Sequence, residues 1–166
     1  GSYNTGLGFF GGKGITTGNR NTAVGAETLL AASTASDNTA IGAYALTANT
    51  TGSVNVAVGS YTLDANTTGY RHVAIGYDAL TANTTGNECV AIGAYALAAN
   101  TTGGSNTAVG YQSLDANQTG GNNNAFGYGA LSASTVSDNN AFGAFALHND
   151  TTGTNNAAFG HRAMIA

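Results

Sequence analysis

This chain of 166 residues has no proline, no tryptophan, one cysteine, one methionine and only four lysines and arginines. With 7% charged residues it does not have the composition of an ordinary enzyme domain. A lone Cys89 excludes a disulfide framework and any multi-thiolate metal site within one chain. The four fixed cations, Lys13, Arg20, Arg71 and Arg162, never cluster, and the net charge is −4, which argues against a nucleic-acid partner. No apolar run approaches the ~20 residues that cross a bilayer, so no membrane contact is expected in this segment. No charged-then-apolar leader opens the chain, and any signal or anchor is expected outside it.

What is abundant is glycine, 25 residues, ten of which close the same short phrase: Gly8, Gly25, Gly42, Gly59, Gly76, Gly93, Gly110, Gly127, Gly143 and Gly160. The interval between neighbours never changes, except that the step from Gly127 to Gly143 is shorter than the others by a single position. A period this short is too small for a propeller blade or a helical pair and predicts a solenoid in which each repeat is one coil. The expected fold is therefore all-β, a parallel β-solenoid (β-roll) of about ten 17-residue coils, with residues 1–166 forming a single repeat domain.

Repeat positions become rows along such a rod. Numbered from the glycine, position −2 is alanine in nine of ten coils, and position −1 is always apolar: Leu7, Val24, Ile41, Val58, Ile75, Ile92, Val109, Phe126, Phe142, Phe159. Position +4 carries Leu29, Leu46, Leu63, Leu80, Leu97, Leu114, Leu131, Leu147 and Met164, with Gly12 the exception. Position +3 stays small, as expected where something packs tightly. The stretch Asn38–Leu46 predicts two short strands with a bend at the glycine; Ala48–Gly52 gathers turn formers that close the coil. If both apolar rows cannot fit inside a thin coil, one forms a stripe along the whole rod. A homotrimer about a threefold axis would cover it, and the candidate core and trimer ladder comprises the position −1 row from Val24 to Phe159 together with Leu46, Leu63, Leu80, Leu97 and Leu114.

Polar rows run beside the apolar ones. Asparagine at −4 recurs in eight coils, with His72 and Cys89 in the other two, and stacked amides are expected to hydrogen-bond rung to rung. Cys89 reads as a substitution within that ladder. Thr50, Thr67, Thr84 and Thr101 form a second row with three readings: satisfying turn backbone, binding ice, or serving with Asn49, Asn66, Asn83 and Asn100 as glycan acceptors. Tyr44, Tyr61 and Tyr95 stand at the variable position +2 and Tyr77, Tyr111 and Tyr128 beside it, where exposed aromatics could stack on sugars or pack against another chain.

The phrase Asn-Thr-Ala-Val-Gly at Asn21–Gly25 resembles the repeats of trimeric autotransporter adhesin heads, the YadA-like left-handed parallel β-roll. Asn106–Leu114, followed by Asp115-Ala116-Asn117-Gln118-Thr119-Gly120, is similar to repeats upstream of the endosialidase-type chaperone domain in phage tail fibres and bacterial surface fibres. The similarity covers nearly the whole chain, although the YadA-like coil is shorter than the coil found here and its handedness does not carry over. The resemblance implies an obligate homotrimer, an extracellular or virion-surface location, and an attachment or spacer role without catalytic residues.

The residues themselves argue against an enzyme. His72, His148 and His161 occupy three different repeat positions, and the eight acidic residues are scattered. Asp64 and Asp115 share a position but lie three coils apart, about 14 Å, too far for an acid–base pair. No calcium-roll or phosphate-loop spacing occurs, and no cofactor is expected. Three functions follow: the head or shaft of an extracellular trimeric fibre, a rod that itself binds a host-surface protein or glycan through its tyrosine and threonine rows, or an ice-binding solenoid.

Overall fold

The computed structural model describes residues 1–165, wound as a parallel β-solenoid. Each coil supplies one three-residue strand: β1 (Thr5–Leu7), β2 (Thr22–Val24), β3 (Thr39–Ile41), β4 (Val56–Val58), β5 (Val73–Ile75), β6 (Val90–Ile92), β7 (Thr107–Val109), β8 (Asn124–Phe126), β9 (Asn140–Phe142) and β10 (Ala157–Phe159). They pair in chain order as a single ten-stranded sheet, so that nine full turns join ten rungs. Equivalent repeat positions meet in every pair: Ala23 opposes Ala40, Val24 opposes Ile41, Ala91 opposes Ala108.

The alternation of strand side chains decides which row is interior. The middle residue, the −2 alanine, points inward and is buried on every rung from Ala23 to Ala158, while its neighbours at −3 and −1 face outward. After the strand comes the rung glycine, with φ of +130° at Gly93. A Cβ there would lie 2.6 Å from the carbonyl oxygen of Gly110, because the glycines of successive rungs rest backbone on backbone. Only glycine satisfies both the torsion and the approach.

A second strand after the bend, expected from the sequence, does not form. The stretch from +1 to +6 is a turn in which positions +2 and +4 take left-handed conformations, with φ of 63° at Tyr44 and 53° at Leu46. Left-handed residues interrupt an extended ladder, so the alanine- and leucine-rich stretch curls over the strand instead. Rung-to-rung bonding nevertheless continues through it: Leu46 N–H donates to Thr62 O at 3.0 Å and Ala48 N–H to Asp64 O at 3.0 Å. The curl swings the position +4 leucines inward, where Leu29, Leu46, Leu63, Leu80, Leu97, Leu114 and Leu131 are completely buried against the alanine row.

Two asparagine ladders flank this thin core. At −4, each Oδ1 accepts the backbone N–H of the next −4 residue, as in Asn55 N–H to Asn38 Oδ1 at 2.9 Å. Each Nδ2 from Asn4 to Asn139 donates to the carbonyl of a glycine or other turn residue near the end of its own coil, as in Asn55 to Gly69 O at 3.0 Å, whereas Asn156 Nδ2 donates to the Asp150 carboxylate. These amides therefore serve chiefly backbone, with direct amide–amide bonds only at the N-terminal rungs, for example Asn38 Nδ2 to Asn21 Oδ1 at 3.1 Å. His72 reproduces the pattern, its Nε2–H reaching Gly86 O at 2.7 Å and its Nδ1 accepting from Cys89 N–H at 3.2 Å. Burial holds the pKa of this imidazole below its ordinary value, against the opposing pull of the Gly86 carbonyl. Cys89 continues the row, its Sγ 3.5 Å from Gly103 O, and burial pushes the thiol up to about 11.

The amide-to-amide ladder runs instead at +7. Asn66, Asn83, Asn100 and Asn117 each donate Nδ2 to the Oδ1 of the preceding rung's asparagine at 2.9 to 3.2 Å, beginning from Asn49. It stops at Ser134, where Asn117 Oδ1 and Ser134 Oγ are buried without partners. This is the short rung. β7, β8 and β9 stay in register across it, and Gly120 packs on Val136, so the missing residue shortens the turn after Ser134 and leaves the sheet unbroken.

Candidate functional surfaces

One of the two rows on the outer face of the sheet, position −1, is apolar along its whole length. Ile41, Ile75, Ile92, Phe126 and Phe142 are 36–40% exposed, Val24, Val58 and Val109 are half-buried, and Phe159 is open at the last rung. Phe126, Phe142 and Phe159 stack nearly parallel, at centroid distances of 4.8 and 5.0 Å. Beside them run the position −3 side chains, threonine or valine on most rungs and asparagine on β8 and β9. Of the two apolar rows in the candidate ladder, the leucines from Leu46 to Leu114 are core and the Val/Ile/Phe row is surface.

The tyrosines make a second continuous column. Ring centroids are 5.0 Å apart for Tyr44–Tyr61, 6.1 Å for Tyr61–Tyr77, 5.6 Å for Tyr77–Tyr95, 5.8 Å for Tyr95–Tyr111 and 5.4 Å for Tyr111–Tyr128. Phe145 and His148 extend it. The rings turn their faces or edges on one another, worth about 0.5–1.5 kcal/mol per pair. Position +2 varies at the surface, and where Asp78, Gln112 or Gly129 occupies it an aromatic stands at +1 instead, as Tyr77, Tyr111 or Tyr128.

The threonine row is consumed internally. Thr50 Oγ1 donates to Thr67 O, Thr67 to Thr84 O and Thr101 to Gln118 O, each at 3.0 Å, with Thr84 to Thr101 O at 3.1 Å. These hydroxyls satisfy turn carbonyls, the reading in which they cap backbone, whereas the following threonines, Thr51, Thr68, Thr85 and Thr102, are exposed. Asn49, Asn66, Asn83 and Asn100 are wholly buried with their Nδ2 atoms donated, leaving no free amide for a glycan in the folded chain.

Position −5 carries a set of rung-to-rung polar pairs that the repeat reading passed over. Arg20 grips Asp37 through two nitrogens, and this hydrogen bonding holds the Asp37 carboxyl below the usual carboxylate range. Arg71 meets Glu88 at 2.9 Å, and Asn122 Nδ2 meets Asp138 at 3.1 Å. The pairs recur every third rung, beginning at Arg20, Arg71 and Asn122. The same spacing relates Tyr44 to Tyr95 and Asp64 to Asp115, a higher-order period visible in the sequence once coils are compared in threes.

One hydroxyl–imidazole contact invites a catalytic reading. Ser132 Oγ lies 2.7 Å from His148 Nδ1, with Asp115 at the same repeat position one rung before Ser132. The same Nδ1 also faces Gly129 O at 3.0 Å, which requires a proton on that nitrogen. Ser132 is then an acceptor and gains no base. Among the described residues no group of three or more His, Cys, Asp or Glu side chains could hold a metal. A cavity of about 250 Å³, lined by Leu147, Asp150, Asn156 and Met164 among others, lies at the last rung, where the solenoid's interior is uncovered.

These features define a single-sheet β-solenoid repeat protein with an apolar row on its outer sheet face and an aromatic column. No family model, no curated protein and no solved structure matches the chain significantly.

Proposed function

We propose that the chain is a non-catalytic rod, the head or shaft segment of an extracellular homotrimeric fibre used for adhesion or attachment. One observation carries the reading: the unbroken, half-exposed apolar row from Val24 to Phe159 on an uncovered parallel sheet. Parallel sheets are ordinarily covered on both faces. Here the inner face has its leucine and alanine core, and the outer face has nothing but solvent in the single chain. Completing the burial of a branched side chain that is about two-fifths exposed contributes on the order of 1 kcal/mol, and the row repeats that contribution rung after rung. Three identical rows meeting on a threefold axis cover one another in a closed ring and leave no stripe open. The likeness of the Asn-Thr-Ala-Val-Gly phrase to surface-fibre repeats supports the same arrangement and the extracellular setting.

The continuous aromatic column favours a second reading, a rod whose side binds a host protein or glycan. Ice binding draws no support from Thr50, Thr67, Thr84 and Thr101, whose hydroxyls are bonded to carbonyls.

Sedimentation equilibrium tests the trimer. The expected mass is three times 16.4 kDa at micromolar concentration. Ile75→Asp with Ile92→Asp, both outward on β5 and β6, should reduce it to that of one chain. A folded wild-type monomer at that concentration would refute the proposal.

A further inference from the structure

Six consecutive rungs each present one tyrosine to the same side, although the backbone position that supplies it switches between +1 and +2. Continuity of the ring column, rather than any one position, is what the sequence maintains. Two of its contacts are nearly coplanar stacks, Tyr44 with Tyr61 and Tyr111 with Tyr128, each with an interplanar angle of 7°. The contacts from Tyr61 through Tyr77 and Tyr95 to Tyr111 are edge-to-face. The rings are reachable: Tyr61, Tyr77, Tyr111 and Tyr128 are exposed, and Tyr44 and Tyr95 are partly so.

The rest of the chain offers an oxidant little else. Tryptophan is absent, and the single methionine, Met164, stands at the last rung. Cys89 is buried in the −4 row and remains a protonated thiol at neutral pH, which removes the thiolate that oxidants attack first. The tyrosines remain, and of these Tyr3 and Tyr70 stand apart while the phenols of the column are in mutual contact along the rod.

We propose that the tyrosine column is a site of oxidative cross-linking, at which Tyr44 couples to Tyr61 and Tyr111 to Tyr128 as dityrosine under a peroxidase and hydrogen peroxide. Each phenol of a pair loses its O–H hydrogen atom to the oxidised haem of the peroxidase, giving two phenoxyl radicals. These join through a carbon–carbon bond between ring positions ortho to oxygen. The ortho hydrogens then return to the oxygens and restore both phenols. Two tyrosines and one hydrogen peroxide thus give one dityrosine and two waters. Edge-to-face contacts let a radical formed on Tyr77 or Tyr95 pass to a stacked pair before coupling. The product is a covalent staple between adjacent rungs in a chain with no disulfide.

The test treats the 166-residue chain with a haem peroxidase and hydrogen peroxide and reads dityrosine fluorescence and tryptic peptide masses. Cleavage at Arg20, Arg71 and Arg162 yields peptide 21–71, holding Tyr44, Tyr61 and Tyr70, and peptide 72–162, holding Tyr77, Tyr95, Tyr111 and Tyr128. Each should lose two hydrogen masses without joining another chain. Tyr61→Phe, which keeps the ring and its packing, should lower coupling in peptide 21–71 at least about five-fold and leave 72–162 unchanged; Tyr111→Phe should do the reverse. An unchanged melting temperature for each variant establishes that the column is intact. Tyr3, 87% exposed and off the column, is the internal control. Coupling that follows exposure and falls on Tyr3 or Tyr70, coupling between chains, coupling that survives both substitutions, or none at all would each overturn the proposal.

Discussion

His72 fills an asparagine position because a neutral imidazole can imitate an amide: one nitrogen donates to Gly86 O and the other accepts from Cys89 N–H. Protonation ends the imitation. Nδ1 would become a donor facing another donor, leaving a buried N–H without an acceptor, at a cost of about 1–3 kcal/mol. Burial already holds the folded pKa below the ordinary 6.5, so the folded chain binds fewer protons than the unfolded chain in acid. The associated stability is therefore complete above pH 6.5 and declines as pH falls below it. Each pH unit below that point can remove at most about 1.4 kcal/mol, which sets a ceiling of about 2 kcal/mol at pH 5. His72→Asn keeps both hydrogen bonds and has no proton to gain. Urea denaturation of both proteins at fixed concentration, from pH 7.5 to pH 5, should show the variant gaining on the wild type by an amount up to that ceiling. Subtraction cancels the titrations common to both chains, including Asp78 and Asp115, whose carboxyls burial raises. A stability difference that stays constant across this range would refute the tautomer and the role given to the ring.

Gly93→Ala should destabilise the fold by about 3 kcal/mol or more, since its Cβ would meet the Gly110 backbone at 2.6 Å in a torsion that L residues resist; thermal denaturation reads this directly. Ser134→Asn should stabilise the chain by about 1–2 kcal/mol by supplying Asn117 Oδ1 with the missing donor, and no gain in the urea midpoint would mean that the short turn does not admit the amide.

The stacking was legible because it depends on period alone: a glycine once in every repeat, alanine at −2 and apolar residues at −1 and +4 assign the rungs without knowledge of the path between them. The path itself was not. Alanine and leucine after the glycine read as a strand, whereas the left-handed torsions at Tyr44 and Leu46 make a turn; nothing in a leucine's chemistry announces positive φ, and stacking imposes it. Which apolar row is interior depended on that turn, because the curl aims Leu46 inward while strand alternation aims Ile41 outward. The place of the +7 amides was not legible for a related reason. Asn49-Thr50-Thr51 has the form of a glycan acceptor, yet the fold places Asn49 at the centre of a buried ladder. The six tyrosines were legible as one row beside position +2, but that Tyr77 at +1 and Tyr95 at +2 bring their rings into contact depends on the turn, which the sequence did not show.

Rungs this similar create a hazard for the folding chain, since a segment displaced by one whole repeat finds nearly the same partners and the mispaired state differs little in energy from the true one. What breaks the degeneracy is the small number of irregular steps. A slip of one repeat takes Arg20 away from Asp37 and Arg71 away from Glu88, and His72 is followed by a cysteine rather than an amide. Such marks identify individual floors of an otherwise uniform staircase, so their value lies less in the strength they add than in the wrong alignments they penalise.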